Sequence, residues 1–219
     1  MLIDIKAIVF DLDGTLIDSS KGILESLFNA IHYYGLKPVI TKVDSHFFMG
    51  KNLEETLAIL VPGSEKDIIK KIGDRYINDY HNNYTHKAQT FEGVAQTIQA
   101  LSQKGFKMAV ATAKYTECAE AELKSSGIRK FFDDVRGSDE GSPAKPDPKL
   151  LFEICNKLGV APSETLMVGD TDRDVVFGKN AGAHTCAVTY GGLSKEEFIK
   201  RNILPDFFID NFSSLIDLV

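Results

Sequence analysis

The chain has 219 residues, of which 43% are hydrophobic and 26% charged, with a formal net charge of −6 at pH 7. This composition fits one large globular domain or two smaller ones, with enough apolar material for a good core. The acidic balance and the dispersed lysines argue against a nucleic-acid binder that relies on bulk electrostatics, and no apolar run approaches the length of a membrane span.

The N-terminus runs directly into a strand and lacks the zones of a signal peptide. The first predicted element is a buried strand over 7–10, apolar throughout and too short for a helix. Asp11, Asp13, Gly14 and Thr15 follow it. A helix is then predicted, capped by Ser19 or Ser20, with Ile23, Leu24, Leu27, Phe28 and Ile31 on one face and Gly35 at its end. A short apolar run over 43–48 leads to Met49-Gly50-Lys51 and a helix over 53–61. Pro62-Gly63 breaks that helix, and Ser64 with Asp67 can cap a long one through Ile72, Tyr76 and Tyr80. No strand alternation is visible between about 17 and 90, so a helical block separates the first strand from the next.

From Glu92 onward strands alternate with helices. Strands are expected over 106–111, near 135, and over 165–168, 184–188 and 207–209. Helices are expected to end at Gly105, Gly127, Gly159 and Gly182, with a further one over 194–202. This order implies an α/β fold with a doubly wound parallel sheet. Cys118, Cys155 and Cys186 are far apart without Cys-x-x-Cys spacing, which argues against a zinc site or disulfide framework and for a reducing, cytoplasmic compartment. Cys155 and Cys186 lie in apolar stretches and are expected to be buried filler.

The chemistry-bearing residues stand where predicted strands end. Asp11 and Asp13 are two apart, so in extended chain their side chains point the same way. Without a cation such a pair repels and one member takes up a proton, so the pattern reads as a hard-cation site, Mg2+ being the usual choice beside phosphate. An ordinary Asp-Gly turn is the alternative. An EF-hand loop fits poorly, since Leu12 and Leu16 interrupt the ligand spacing. The second strand ends in Thr112-Ala113-Lys114, a later loop carries Lys145-Pro146, and the fourth strand ends in Gly169-Asp170 with Asp174 following. Parallel strands bring such ends to one edge, where ligands of open α/β sheets bind. Singly, Thr112 reads as a helix cap, Lys145 as a solvated lysine and 170–174 as an acidic helix start. Together and in this order, they read as a phosphate and metal site.

On Asp11-Leu12-Asp13-Gly14-Thr15, Thr112, Lys145 and Gly169-Asp170-x-x-x-Asp174, the sequence resembles the haloacid dehalogenase-like superfamily, specifically its phosphoglycolate phosphatase-like members with a helical cap. The resemblance covers nearly the whole chain. It implies a Rossmann-like core over 1–16 and 89–219 and a mobile cap over 17–88, with Asp18 at the hinge. Asp11 would be the nucleophile that forms an aspartyl-phosphate, and Asp13 the general acid and then base. Mg2+ would be held by Asp11, the backbone carbonyl of Asp13, and Asp170, with Asp174 orienting water or Lys145. Thr112, Lys145 and backbone amides near Asp13 and Ala113 would neutralise the transferring group.

Lys51 is the candidate substrate contact from the cap, with His46 behind it. The implied partner is a small phosphorylated metabolite, phosphoglycolate or a nucleoside monophosphate, for a monomer or weak homodimer with no nucleic-acid or membrane partner. Asp13 disfavours the dehalogenases and phosphonatases, which lack that carboxylate. Gly169 stands where the sugar-phosphate mutases usually carry an acidic residue, and favours hydrolysis. Ala113 departs from the Asn often found there in phosphoglycolate phosphatases, and Glu92 from a common Pro. A β-phosphoglucomutase-like isomerase, an inorganic pyrophosphatase and a non-catalytic phosphate-binding protein are the alternatives.

Overall fold

Four residues with no exposed surface, Ala7–Phe10, form β1, and the sheet is built outward from it. The computed structural model describes residues 4–40, 53–139 and 143–219. β1 pairs in parallel with β4 (Lys107–Ala111) on one side and β6 (Thr165–Gly169) on the other. β5 (Asp134–Arg136) lies beyond β4, and β7 (His184–Val188) and β8 (Phe207–Ile209) continue beyond β6. The order is β5-β4-β1-β6-β7-β8, parallel throughout.

A parallel sheet has to be covered on both faces. Alternate residues of each strand supply the two faces. Ile8, Phe10, Met108, Val110, Leu166 and Val168 pack against Ile98 and Leu101 of α4 (Val94–Gln103) and Leu123 of α5 (Thr116–Ser125). Ala7, Val9, Ala109 and Met167 pack against Leu151 and Ile154 of α6 (Lys149–Leu158) and Phe177 of α7 (Asp172–Ala181). α6 and α7 each stop at a glycine in the left-handed conformation, Gly159 (φ 68°) and Gly182 (φ 77°). α8 (Lys195–Lys200) begins at Ser194, whose hydroxyl accepts from the Glu197 amide. Cys155 and Cys186 are free and buried, as apolar filler should be, and Cys118 is free and buried too.

The block between β1 and β4 holds α1 (Ser20–Tyr33), α2 (Leu53–Leu60) and α3 (Lys66–Asn83). These helices share their own apolar cluster of Leu27, Ile31, Leu57, Leu60 and Ile72. The block leaves and rejoins the core through an antiparallel ribbon of β2 (Ile17–Asp18) and β3 (Gln89–Thr90). The expectation of no strand between 17 and 90 misses this ribbon. Two residues are too few to show alternation, and their partners lie far away in the chain.

Two other expectations need correction. α3 starts at Lys66 with Glu65 at its cap position, because the Ser64 amide bonds the Val61 carbonyl and belongs to the preceding turn. No element is expected after the strand over 207–209, yet a 3₁₀ turn, Phe212–Ser214, and α9 (Leu215–Leu218) follow it, and Phe212 and Leu215 are buried against the first face of the sheet. The apolar run over 43–48 lies outside the described residues. Among those described, no helix is long and apolar enough to cross a membrane.

Phe10 is the junction of this core, its ring centroid 6.1 Å from that of Phe132 and 5.8 Å from that of Phe212. Phe10→Ala is expected to lower unfolding free energy by about 3–5 kcal/mol in urea denaturation. A loss below about 1 kcal/mol would show that the face around it collapses freely.

Candidate active site

Because β1, β4 and β6 are parallel and in register, Phe10 lies level with Val110 and Val168. Asp11, Thr112 and Asp170 therefore leave the sheet at one edge. The Asp11 amide donates to the Val168 carbonyl and that of Thr112 to the Arg136 carbonyl, both at 2.9 Å, so the ladder fixes the backbone just past the strand ends.

Lys145, from the loop between β5 and α6, reaches this edge. Its Nζ donates to Asp11 Oδ1 and to Asp174 Oδ1, each at 2.6 Å, and its side chain is only 6% exposed. It is not the solvated lysine that a loop position suggests. Asp174 sits in the first turn of α7, where its Oδ2 accepts from the Thr171 amide at 3.0 Å and the Thr171 hydroxyl at 2.7 Å. It thus caps its own helix with one oxygen and holds Lys145 with the other. Asp170 is fully buried: its Oδ1 accepts from the Thr15 hydroxyl at 3.1 Å and its Oδ2 from the Gly192 amide at 2.7 Å.

Two glycines permit this crowding. A Cβ at Gly169 would overlap the Asp174 side chain, and one at Gly191 would overlap the Gly14 carbonyl and Asp170.

Carboxylate oxygens of Asp11, Asp170 and Asp174 all lie within 4.8 Å of one another. Burial pushes the Asp11 carboxyl up to about 7; Lys145 opposes that shift and Asp174 adds to it. Burial, with Asp11 and Asp174 beside it, raises the Asp170 carboxyl well above the usual range. Burial would lower Lys145, but Asp11 and Asp174 outweigh it and hold the ammonium charged. Three carboxylates thus lie together with one ammonium, bonded to two of them, among the described residues. A hard cation with oxygen ligands fits the remaining charge and the donor set, as Mg2+ does in general. The Asp13 carboxylate is not in this cluster.

Asp13 faces a different environment. Its Oδ1 accepts from the Ser19 hydroxyl and from Lys114 Nζ, the latter at 2.7 Å. Ser19 holds the N-cap position of α1, as expected, but its side chain makes no cap bond; Asp18 Oδ1 instead accepts from the Ser20 amide at 3.2 Å and the Ser20 hydroxyl at 2.5 Å. Lys114 also donates to Glu122 Oε1 at 2.6 Å. Thr112 is buried, and its Oγ1 accepts from the Lys114 amide at 3.1 Å. It is not a helix cap, since Tyr115 holds that position before α5.

A cavity of about 520 Å³ joins these groups. Asp11, Asp13, Thr112, Ala113 and Lys145 line it from the core, and Ile23, Leu24, Leu27, Leu53, Tyr76 and Ile77 from the helical block. Arg173 lies at the same cavity with its Nη2 bonded to both oxygens of Glu55, at 3.1 and 2.9 Å. Lys51 and His46 lie outside the described residues.

Sequence reasoning missed Thr15, Ser19, Thr171 and the Gly191-Gly192 pair as supports, and left Lys114 without a role. The glycine pair carried a readable signal, since it follows the end of β7 on the same edge as the other site residues.

A family model described as haloacid dehalogenase-like hydrolase matches residues 8–188. A pyrophosphatase PpaX of Bacillus cereus is 33% identical over 217 residues, covering 98% of this chain and 96% of its own. A pyrophosphatase PpaX of Halalkalibacterium halodurans is 32% identical over 217 residues, covering 99% and 97%. The solved structure of a haloacid dehalogenase-like family hydrolase from Streptococcus pneumoniae superposes with a TM-score of 0.86 at 26% identity, over 99% of both chains.

The carboxylate cluster sets a pH dependence. Asp11 titrates near 7 in the fold against about 4 in an unfolded chain, so the unfolded chain gives up that proton first. Without divalent metal, the Asp11 contribution to stability is therefore fully present below about pH 4 and is lost as pH rises toward 7. Mg2+ at a hundredfold excess over its Kd is expected to raise Tm by roughly 5–10 °C at pH 8. Protons compete at pH 5, and there the increment should be much smaller. Thermal melts with Mg2+ or chelator test this; equal increments at both pH values would place the metal away from the buried carboxylates.

Proposed function

The chain belongs to the haloacid dehalogenase-like hydrolase family, as a phosphatase acting on a small phosphorylated substrate, and on that premise we propose that it hydrolyses organic phosphomonoesters through an aspartyl-phosphate on Asp11. One observation carries this reading. Asp11 and Asp13 are two residues apart yet held by different lysines, Lys145 and Lys114, in unlike surroundings. Two carboxylates separated in this way take different chemical roles.

Asp11 is bonded to Lys145 through Oδ1, which leaves Oδ2 as the attacking oxygen. Its attack forms the Asp11–phosphorus bond as the bond from phosphorus to the leaving oxygen breaks. The Asp13 carboxyl gives its proton to that oxygen. The Asp13 carboxylate then takes a proton from water, whose oxygen attacks phosphorus, releasing inorganic phosphate and the free Asp11 carboxylate. Lys145, the Thr112 hydroxyl and backbone amides near Asp13 and Ala113 neutralise the phosphoryl oxygens. Asp11, the Asp13 backbone carbonyl and Asp170 would hold Mg2+, which when bound supplies positive charge to the transferring group. Asp174 fixes Lys145. Residues 17–88 act as a cap that excludes water from a core of 1–16 and 89–219, with Lys51 as a cap contact to substrate.

The cavity argues for the leaving group. Apolar side chains of the helical block face the carboxylates across about 520 Å³, room for an organic group the size of a nucleoside. This favours a nucleoside monophosphate over phosphoglycolate, whose leaving group is small and charged. Pyrophosphate is the second reading, favoured by relatives named pyrophosphatase PpaX. Its leaving group is a phosphate anion that needs cations, and among the described residues Lys114, Lys145 and Arg173 at the cavity are each paired with carboxylates. A mutase is disfavoured because a side chain at position 169 would overlap Asp174.

Phosphate release across nucleoside monophosphates, phosphoglycolate, sugar phosphates and pyrophosphate, with and without Mg2+, tests the reading. Metal-dependent release led by an organic monoester is expected, and release led by pyrophosphate would transfer the assignment to the second reading. Asp11→Asn should abolish turnover, by at least about 10⁴-fold, with circular dichroism unchanged. Turnover at the wild-type rate would remove Asp11 as nucleophile.

A further inference from the structure

A second buried charge cluster lies behind Asp13, and the phosphoryl chemistry does not require it. Lys114 Nζ donates to Asp13 Oδ1 at 2.7 Å and to Glu122 Oε1 at 2.6 Å, and stands 4.7 Å from the centre of the Tyr80 ring. The Tyr80 hydroxyl donates to the same Glu122 oxygen. The Lys114 side chain is 7% exposed and that of Glu122 not at all. Glu122 Oε2 is buried with no hydrogen-bond partner among the described residues.

As a stabilising device this arrangement is poor. Burying two ions carries a large desolvation cost, and well-packed apolar side chains would often serve stability better. An acceptor left unpartnered adds a further cost. Lys114 is also unsuited to holding a substrate anion, because two carboxylates already neutralise it and an aromatic ring covers it. What the cluster does provide is a fixed donor for one oxygen of Asp13.

That oxygen is Oδ1, which also receives the Ser19 hydroxyl. Among the described residues no donor reaches Oδ2, and Asp13 lines the cavity. A carboxylate with one oxygen gripped twice and the other unengaged is held in one orientation. The grip is braced from three directions: Lys114 follows β4, Glu122 lies in α5, and Tyr80 lies in α3 of the helical block.

We propose that Lys114, braced by Glu122 and Tyr80, is a positioning residue that holds Asp13 Oδ1 and so presents Oδ2 to the leaving-group oxygen. The proposal rests on the reading of Asp13 as the proton donor. Misplacing a proton donor slows departure of a basic leaving group and hardly affects one that leaves as a stable anion.

The test is kcat/KM of the Mg2+-loaded enzyme on aryl phosphates graded from p-nitrophenyl to phenyl phosphate. The double variant Lys114→Met/Glu122→Gln removes the buried Lys114–Glu122 pair together, so that neither ion of that pair is left without the other, and Asp13 keeps only the Ser19 hydroxyl. It is expected to lose about 10- to 100-fold on phenyl phosphate and less than about threefold on p-nitrophenyl phosphate. Tyr80→Phe leaves the ion pair in place and should shift the same ratio in the same direction by roughly threefold, which serves if the double variant does not fold. Equal losses on both esters, or none, would overturn the proposal. Asp13→Asn, measured alongside, separates the two levels. If it discriminates between the esters and the Lys114 variants do not, only the positioning role falls. If Asp13→Asn loses equally on both, the proton-donor reading falls and this proposal with it.

Discussion

Asp11, Asp170 and Asp174 come from two stretches of the chain to a position where water screens them little, and Lys145, from a third, is bonded to two of them. Like charges at that separation in a poorly polarisable interior repel strongly, so the fold has to supply compensation nearby. It does so with short, fixed donors: the Lys145 ammonium, the Thr15 and Thr171 hydroxyls, and the Gly192 and Thr171 amides. The Thr171 donors sit at the start of α7, and Thr15, Lys145 and Gly192 stand on loops that follow strand ends. The apolar faces of the sheet offset the cost of the concentrated charge, and the edge of the same sheet sets its geometry.

The same edge shows how a protein gives different tasks to two identical side chains. Asp11 and Asp13 differ in neither chemistry nor chain neighbourhood. Asp11 remains at the sheet and shares Lys145 with Asp174. Asp13 has already turned away from it, and Ser19 beside the helical block and Lys114 after β4 receive it. A two-residue displacement past the end of β1 thus moves a carboxylate from the cation-seeking cluster to the Ser19 and Lys114 side of the same cavity.

Much of this architecture was legible in the sequence, for identifiable reasons. β1, β4, β6 and β7 are apolar runs bounded by polar residues, and glycines end the helices between them, so periodicity and punctuation agree. The strand-end residues Asp11, Thr112 and Asp170 were legible because a parallel topology brings such ends together whatever their distance in sequence. The β2–β3 ribbon and α9 were not, because two and four residues carry no measurable period. The partners of Ser19 and Lys114 were hidden for another reason. Ser19 reads from its context as a helix cap and Lys114 had no role to read, and only three-dimensional proximity to Asp13 gives each its task. Gly191 shows the converse, being a residue whose importance lies in the space it leaves empty.

The ribbon has a consequence for how such a chain can be rebuilt. Ile17 pairs with Thr90, so the two points where the helical block departs and returns are neighbours in space. Whatever lies between them, long or short, begins and ends at the same place, and closing that gap costs the core little chain entropy. The block also has its own apolar cluster of Leu27, Ile31, Leu57 and Ile72. The molecule therefore behaves as a socket and an insert. Selection can exchange, lengthen or reshape the insert, and with it the walls of the cavity, while the strand ends that carry Asp11 and Asp170 stay in place.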